Sequence, residues 1–154
     1  MSELPVPGIQ TKIVELSYSD KQFVVCYEDK ERRSYMRIYD LKTAVAWGKK
    51  EGECDHVKQI KAPSDHAING VKWGPLDESI YYCTDRGRII KKDLVEDTTE
   101  ARDIHKREIF SITLTHDFTM LFTCSRDGTC KLSTPRPSTR SETSCSTFLA
   151  GLAV

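Results

Sequence analysis

The sequence predicts an all-β chain built from repeated small antiparallel sheets, and three observations carry that prediction. Between Lys12 and Leu132, β-branched and aromatic residues gather in runs of about five to seven, bounded by Gly, Asp, Pro and Lys clusters. Over the same span no apolar stripe at helical spacing extends beyond about two turns. One stretch also returns later in the chain. "VKWGPLDESIYYCTDRGRIIKKD" from Val71 aligns with "ITLTHDFTMLFTCSRDGTCKLST" from Ile112 at a constant offset of 41, so that Val71, Trp73, Cys83, Thr84 and Gly87 meet Ile112, Leu114, Cys124, Ser125 and Gly128.

A period near 40–45 residues with three or four short strands per unit predicts a WD40-type β-propeller rather than a helical solenoid. The first unit, "IVELSYSDKQFVVCYEDKERRSYMRIYD", runs from a short apolar strand through a polar corner, a more apolar strand and a long charged turn to the alternating strand "MRIYD". The second and third units repeat that plan with tighter turns. In their last strands Met36 and Ile38, then Ile89, then Cys130 and Leu132 are expected to face a neighbouring sheet, with Lys and Arg between them pointing away. The chain thus divides into an N-terminal segment (1–11), a partial propeller of about three blades (12–132) and a tail (133–154).

The turns carry the chemistry of the unit. His66 with Asp85, and His105 with Asp127, stand where a loop histidine meets the carboxylate of the turn between the second and third strands. A buried polar group must find a partner inside the fold, so both pairs read as structural. Gly87 and Gly128 close these turns, where the chain needs positive φ.

Composition narrows function by exclusion. With 38% hydrophobic and 30% charged residues the chain can build a core, and 23 basic against 23 acidic residues leave no net field to attract DNA or an anionic membrane. No basic segment precedes an apolar run in "MSELPVPGIQTKIVEL", and no eighteen apolar residues occur together, so neither a signal peptide nor a membrane span is expected. Six cysteines, at 26, 54, 83, 124, 130 and 145, include no C-x-x-C pair. Four lie in apolar strand-like runs, where cysteine is a small buried hydrophobe, which points to a reducing, cytoplasmic setting with no metal or cofactor. Cys124, His105 and Asp127 have the residue types of a nucleophile, a base and an orienting acid, but nothing in the sequence near Cys124 lowers its pKa, so no enzyme is expected. Arg86, Arg88, Lys91, Lys92, Arg102, Lys106 and Arg107 alternate on strands as a solvated face would; an RNA-binding reading needs stackable aromatics on the same face, and Tyr81 and Tyr82 point to opposite sides.

The strings "INGVKWGPLDESI" and "IFSITLTHDFTMLFTCSRDGTCKL" resemble the middle blades of the WD-repeat subunit I of eukaryotic translation initiation factor 3, where a Trp-Gly-Pro-Leu corner is followed one blade later by a second strand of the form S-x-D-x-T-x-F-x-T-S-x-D. "VVCYEDKERRSYMRIYDL" is similar to the preceding blade of that family, with its long turn. The resemblance covers about Lys12 to Leu132, and Trp73-Gly74-Pro75-Leu76 is its most specific element. It implies blades three to five of a seven-bladed propeller and a non-catalytic, cytoplasmic scaffold without cofactors. In that family the propeller docks a helical tail of the factor's B-type component, meets its G-type component and supports scanning by the small ribosomal subunit. Its docking surface crosses blades five and six, with acidic residues on blade five. The matching acid here is Asp127, beside Arg126, while a second acidic position is Ser111. Asp127 either holds its turn or meets a partner. A WD-repeat adaptor of another pathway and a direct RNA-binding propeller are the alternative readings.

After Leu132 the pattern changes to "STPRPSTRSETSCSTFLAGLAV", whose Ser, Thr, Pro and Arg predict a disordered tail. The genetic code offers a second expectation. If Lys131-Leu132 is read from AAG CTT and continued in suitable codons, one C restored after the CT converts the following residues to Phe-Asp-Thr-Ala-Thr-Phe-Asp-Ala-Leu, a strand end with its aromatic–acid pair. A one-base frame change is therefore expected to have produced the residues from Ser133 onward. A three-blade piece with two open faces is expected to be loosely folded or prone to aggregate.

Overall fold

The computed structural model describes residues 4, 6, 10–47, 54–63 and 65–135. They form three antiparallel sheets. The first contains β1 (Gln10–Leu16), β2 (Gln22–Glu28), β3 (Ser34–Asp40) and, after the short helix α1 (Leu41–Trp47), β4 (Lys58–Lys61). The second contains β5 (Ile68–Trp73), β6 (Ser79–Thr84), β7 (Arg88–Asp93) and β8 (Thr99–Asp103); the third contains β9 (Ile109–Leu114), β10 (Leu121–Ser125) and β11 (Cys130–Ser133). Each sheet is a meander in chain order, and β5 lies beside both β1 and β9. Sheets joined through their first strands in this way give a propeller-like arrangement.

The middle sheet is the core. β6 reads Ser-Ile-Tyr-Tyr-Cys-Thr and is buried along its whole length, because its two faces serve two interfaces. Ile80 and Tyr82 join Val24, Met36, Ile38 and Ile60 of the first sheet, whereas Tyr81 and Cys83 join Ile109, Ile112, Leu114 and Leu121 of the third. Trp73, 1% exposed, anchors the first interface. Burying a side chain of its size removes roughly 150–250 Å² from water, on the order of 4–6 kcal/mol.

The Trp73–Leu76 corner clasps the first two sheets. Gly74 N donates to Ser79 O at 2.8 Å, and Pro75–Asp77 makes a single 3-10 turn. The Asp77 carboxylate accepts from Tyr18 N at 3.0 Å and Ser19 N at 3.3 Å in the β1–β2 turn, while the Trp73 indole donates to Glu15 O at 3.2 Å. Lys72 adds an ion pair with Glu15. The β1–β2, β5–β6 and β9–β10 ladders each carry one register shift, between Thr11 and Ile13, between Ile68 and Gly70 and between Cys124 and Ser125.

β1 begins at Gln10, close to the expected start of the repeats. Two expectations need correction. Cys130 and Leu132 do not face a neighbouring sheet: Cys124 and Cys130 are exposed, as are Phe110, Phe122 and Leu132, because no sheet packs on that side of β9–β11 among the described residues. The expected burial of four strand cysteines therefore holds for Cys26 and Cys83, with Cys54 buried in a loop, and fails for the other two. Of the segment expected to be a disordered or frame-shifted tail, 136–154 lies outside the described residues. No helix among the described residues is long and apolar enough to cross a membrane.

Candidate functional site

The β10–β11 turn, Ser125-Arg126-Asp127-Gly128-Thr129, gathers more side-chain hydrogen bonds than its counterpart in the second sheet. Gly128 adopts φ of 81°, and its N–H donates to Ser125 O at 3.2 Å. That reversal turns the Asp127 carboxylate inward. One oxygen accepts from His105 Nδ1 at 2.9 Å and Lys106 N at 3.3 Å; the other accepts from Thr129 N at 3.0 Å and Thr129 Oγ1 at 2.5 Å. A carboxylate can only accept, so His105 Nδ1 carries the proton of that contact. The far ring nitrogen, Nε2, meets Thr123 Oγ1 at 2.9 Å. Burial alone pushes the Asp127 carboxyl up, but the bonds from Thr129 and His105 outweigh it and hold it well below the usual carboxylate range.

Arg126 occupies the tip. Its N–H donates to Glu108 O at 2.9 Å, its guanidinium lies 3.9 Å from the Glu108 carboxylate, and its side chain is 63% exposed. Asp127, by contrast, is 13% exposed with both oxygens engaged. Glu108 is held from the other side by Asn69, whose amide also donates to Ile109 O. Ser125 Oγ adds a bond to Glu108 O at 2.8 Å.

The corresponding pair in the second sheet does not form. His66 Nδ1 lies 3.2 Å from Thr84 Oγ1, and the Asp85 carboxylate accepts from Ala67 N at 2.9 Å. The cause is positional. At the repeat offset of 41, Asp127 corresponds to Arg86 and His105 to Ser64, so Asp85 stands one residue early in its turn and His66 two residues late in its loop. The pairing expected for His66 and Asp85 overlooked this shift; the two line a polar cleft of about 590 Å³ with Lys12, Glu28 and Arg32 instead.

Gly87 is nonetheless essential to the site. Its φ is 78°, its carbonyl accepts both Ile104 N and His105 N at 3.0 Å, and a Cβ there would stand 2.0 Å from His105 O. The second turn thus seats the loop that delivers His105 to the third.

The other residues singled out by sequence are placed apart. Thr123 faces His105, so Cys124 on the same strand faces the opposite side, and Cys124, His105 and Asp127 do not converge. The Cys124 thiol is moreover held above its ordinary pKa, first by its contact with Cys130 and then by burial, the wrong direction for a nucleophile. Burial pushes Cys26 and Cys83 up to about 12. Among the basic residues, Arg88 pairs with Asp103, Lys92 with Asp97, and Arg102 donates to Thr134 O and Pro135 O. Among the described residues no group of three or more His, Cys, Asp or Glu side chains could hold a metal ion. Sequence reasoning missed Thr123 and Thr129, which complete the His105–Asp127 network; their spacing of two residues on either side of the turn's Ser and Asp was the available signal. No protein-family model matches the chain, and no curated protein matches it.

Proposed function

We propose that the chain is a non-catalytic scaffold of the initiation factor 3 subunit I type, contributing to translation initiation in the cytoplasm through contacts with the factor's B-type and G-type components and, through them, with the small ribosomal subunit. The observation that carries the reading is the Trp73–Leu76 corner: the most specific element of the resemblance is also the clasp between the first two sheets, tied to Glu15, Tyr18 and Ser19. The β10–β11 turn supplies the contact. Arg126 projects as the partner-facing group, and Asp127, committed to His105 and Thr129, fixes its direction and presents only its remaining edge. Pairing of Arg88 and Lys92 with acids lowers the net charge available to a phosphate backbone.

The test is a pull-down and titration of the full chain against the helical tail of the B-type component. Binding by the natural chain, weakened about five- to tenfold by Arg126→Ala and unchanged by Arg86→Ala, is the expected result. Failure of the natural chain to bind, or tight RNA binding that falls steeply with salt, overturns the reading.

A further inference from the structure

Cys124 and Cys130 are direct partners across β10 and β11. At the adjacent position Ser125 N donates to Thr129 O at 3.1 Å, so alternation of the antiparallel ladder places the two cysteines at a non-hydrogen-bonded pair, where Cα atoms stand about 4.5 Å apart and side chains lie closest. That separation falls within the range, about 4.4–6.8 Å, that a disulfide spans without backbone movement. The sulfur atoms are 2.9 Å apart, and both thiols are free and exposed. Cys26, Cys54 and Cys83 are buried and cannot compete.

We infer that Cys124 and Cys130 form a redox-active dithiol that exchanges with a low-molecular-weight disulfide, such as oxidised glutathione, to close one cross-strand disulfide between β10 and β11. In the first step the Cys130 thiolate attacks a glutathione sulfur, and one reduced glutathione leaves. In the second, the other cysteine attacks the protein sulfur of this mixed disulfide and displaces the second glutathione. Two protein S–H bonds and one glutathione S–S bond are exchanged for one protein S–S bond and two glutathione S–H bonds; two electrons pass to glutathione, and no proton is gained or lost overall. The bond closes the hairpin directly behind the Asp127 turn, so oxidation restrains the strands that carry the Arg126 tip. This inference rests on sulfur geometry and stands whether or not the proposed partner binds.

The test equilibrates the full chain with glutathione redox buffers, quenches with acid, alkylates and digests after Lys and Arg. Cleavage after Arg126 separates the two cysteines, so the disulfide joins two peptides that otherwise part. The expected product is that joined pair, with Cys124→Ser leaving Cys130 as a mixed disulfide with glutathione. The equilibrium constant should be at least about tenfold larger for the native chain than in denaturing guanidinium, since the hairpin supplies the effective concentration. Equal constants in the two conditions, glutathione on both cysteines without a link, or a link from either to Cys145 overturns the inference.

Discussion

The turns of the second and third sheets begin from nearly the same sequence, Thr-Asp-Arg-Gly-Arg and Ser-Arg-Asp-Gly-Thr, and are held together by different means. In the third, the acid directly precedes the glycine, and its carboxylate collects His105, Lys106 and Thr129. In the second, the acid sits one residue earlier and, among the described residues, accepts from Ala67 N, while the glycine is clamped from outside by the His105 loop. One residue of register thus decides whether a blade turn is stabilised from within, by a buried polar network, or from without, by a neighbour's backbone.

Substitutions at the two glycines should widen that contrast most. Gly87→Ala places a Cβ 2.0 Å from His105 O and 2.8 Å from Arg107 O in a backbone region side chains rarely adopt, whereas Gly128→Ala meets nothing within 4 Å. Denaturant melts should show a loss of roughly 3–5 kcal/mol for the first, combining strain and overpacking, and about 1 kcal/mol for the second, strain alone. Equal losses would mean that the His105 loop does not bear on the second turn.

The carboxylates come next. Asp127→Ala takes away the buried carboxylate to which His105, Lys106 N and Thr129 donate and should cost about 2–3 kcal/mol, while Asp85→Ala removes the side-chain acceptor of Ala67 N–H and should cost about 1 kcal/mol or less. The same melts read both.

Acid should weaken the third turn. Asp127 titrates at about 3.9 in the unfolded chain and lower in the folded one, so its contribution is complete above the unfolded value and is lost as pH falls toward the folded value. Asp97 and Asp117, each lowered to about 2 by hydrogen bonds from lysines and threonines respectively, add the same sign of dependence in every variant. Stability measured from neutral pH down to about 2 should therefore fall less steeply in Asp127→Asn than in the natural chain.

The smallest effect concerns accessibility alone. Brief alkylation of the native chain near neutral pH should modify Cys124 and Cys130 and spare Cys26 and Cys83, which are buried with pKa values pushed up to about 12. Peptide mass spectrometry counts the labels directly.

Much of the architecture was legible in sequence because the middle sheet announces itself. The near-continuous apolar run Ile80–Thr84 is what burial on both faces demands, and the constant offset carries that frame to the third sheet. β4 and β8 were harder to read: Lys-Gln-Ile-Lys and Thr-Glu-Ala-Arg-Asp lie at the rim, where one or two apolar residues suffice and no alternation is required. The outer face of the third sheet was misread for a related reason. Alternation assigns Cys124, Cys130 and Leu132 to a face but does not say whether anything covers it. At the candidate site, the His105–Asp127 pairing could be read from spacing, and the same spacing, applied strictly, would have removed His66–Asp85.

Calorimetric titration of the full chain, natural and Arg126→Ala, with the helical tail of the B-type component decides whether the third turn, with Asp127 bracing the exposed Arg126, is the proposed docking tip. A saturable isotherm for the natural chain, weakened about five- to tenfold in the variant while the thermal midpoint stays unchanged, is the predicted result. No heat of binding from the natural chain, or equal affinity for both proteins, would contradict it.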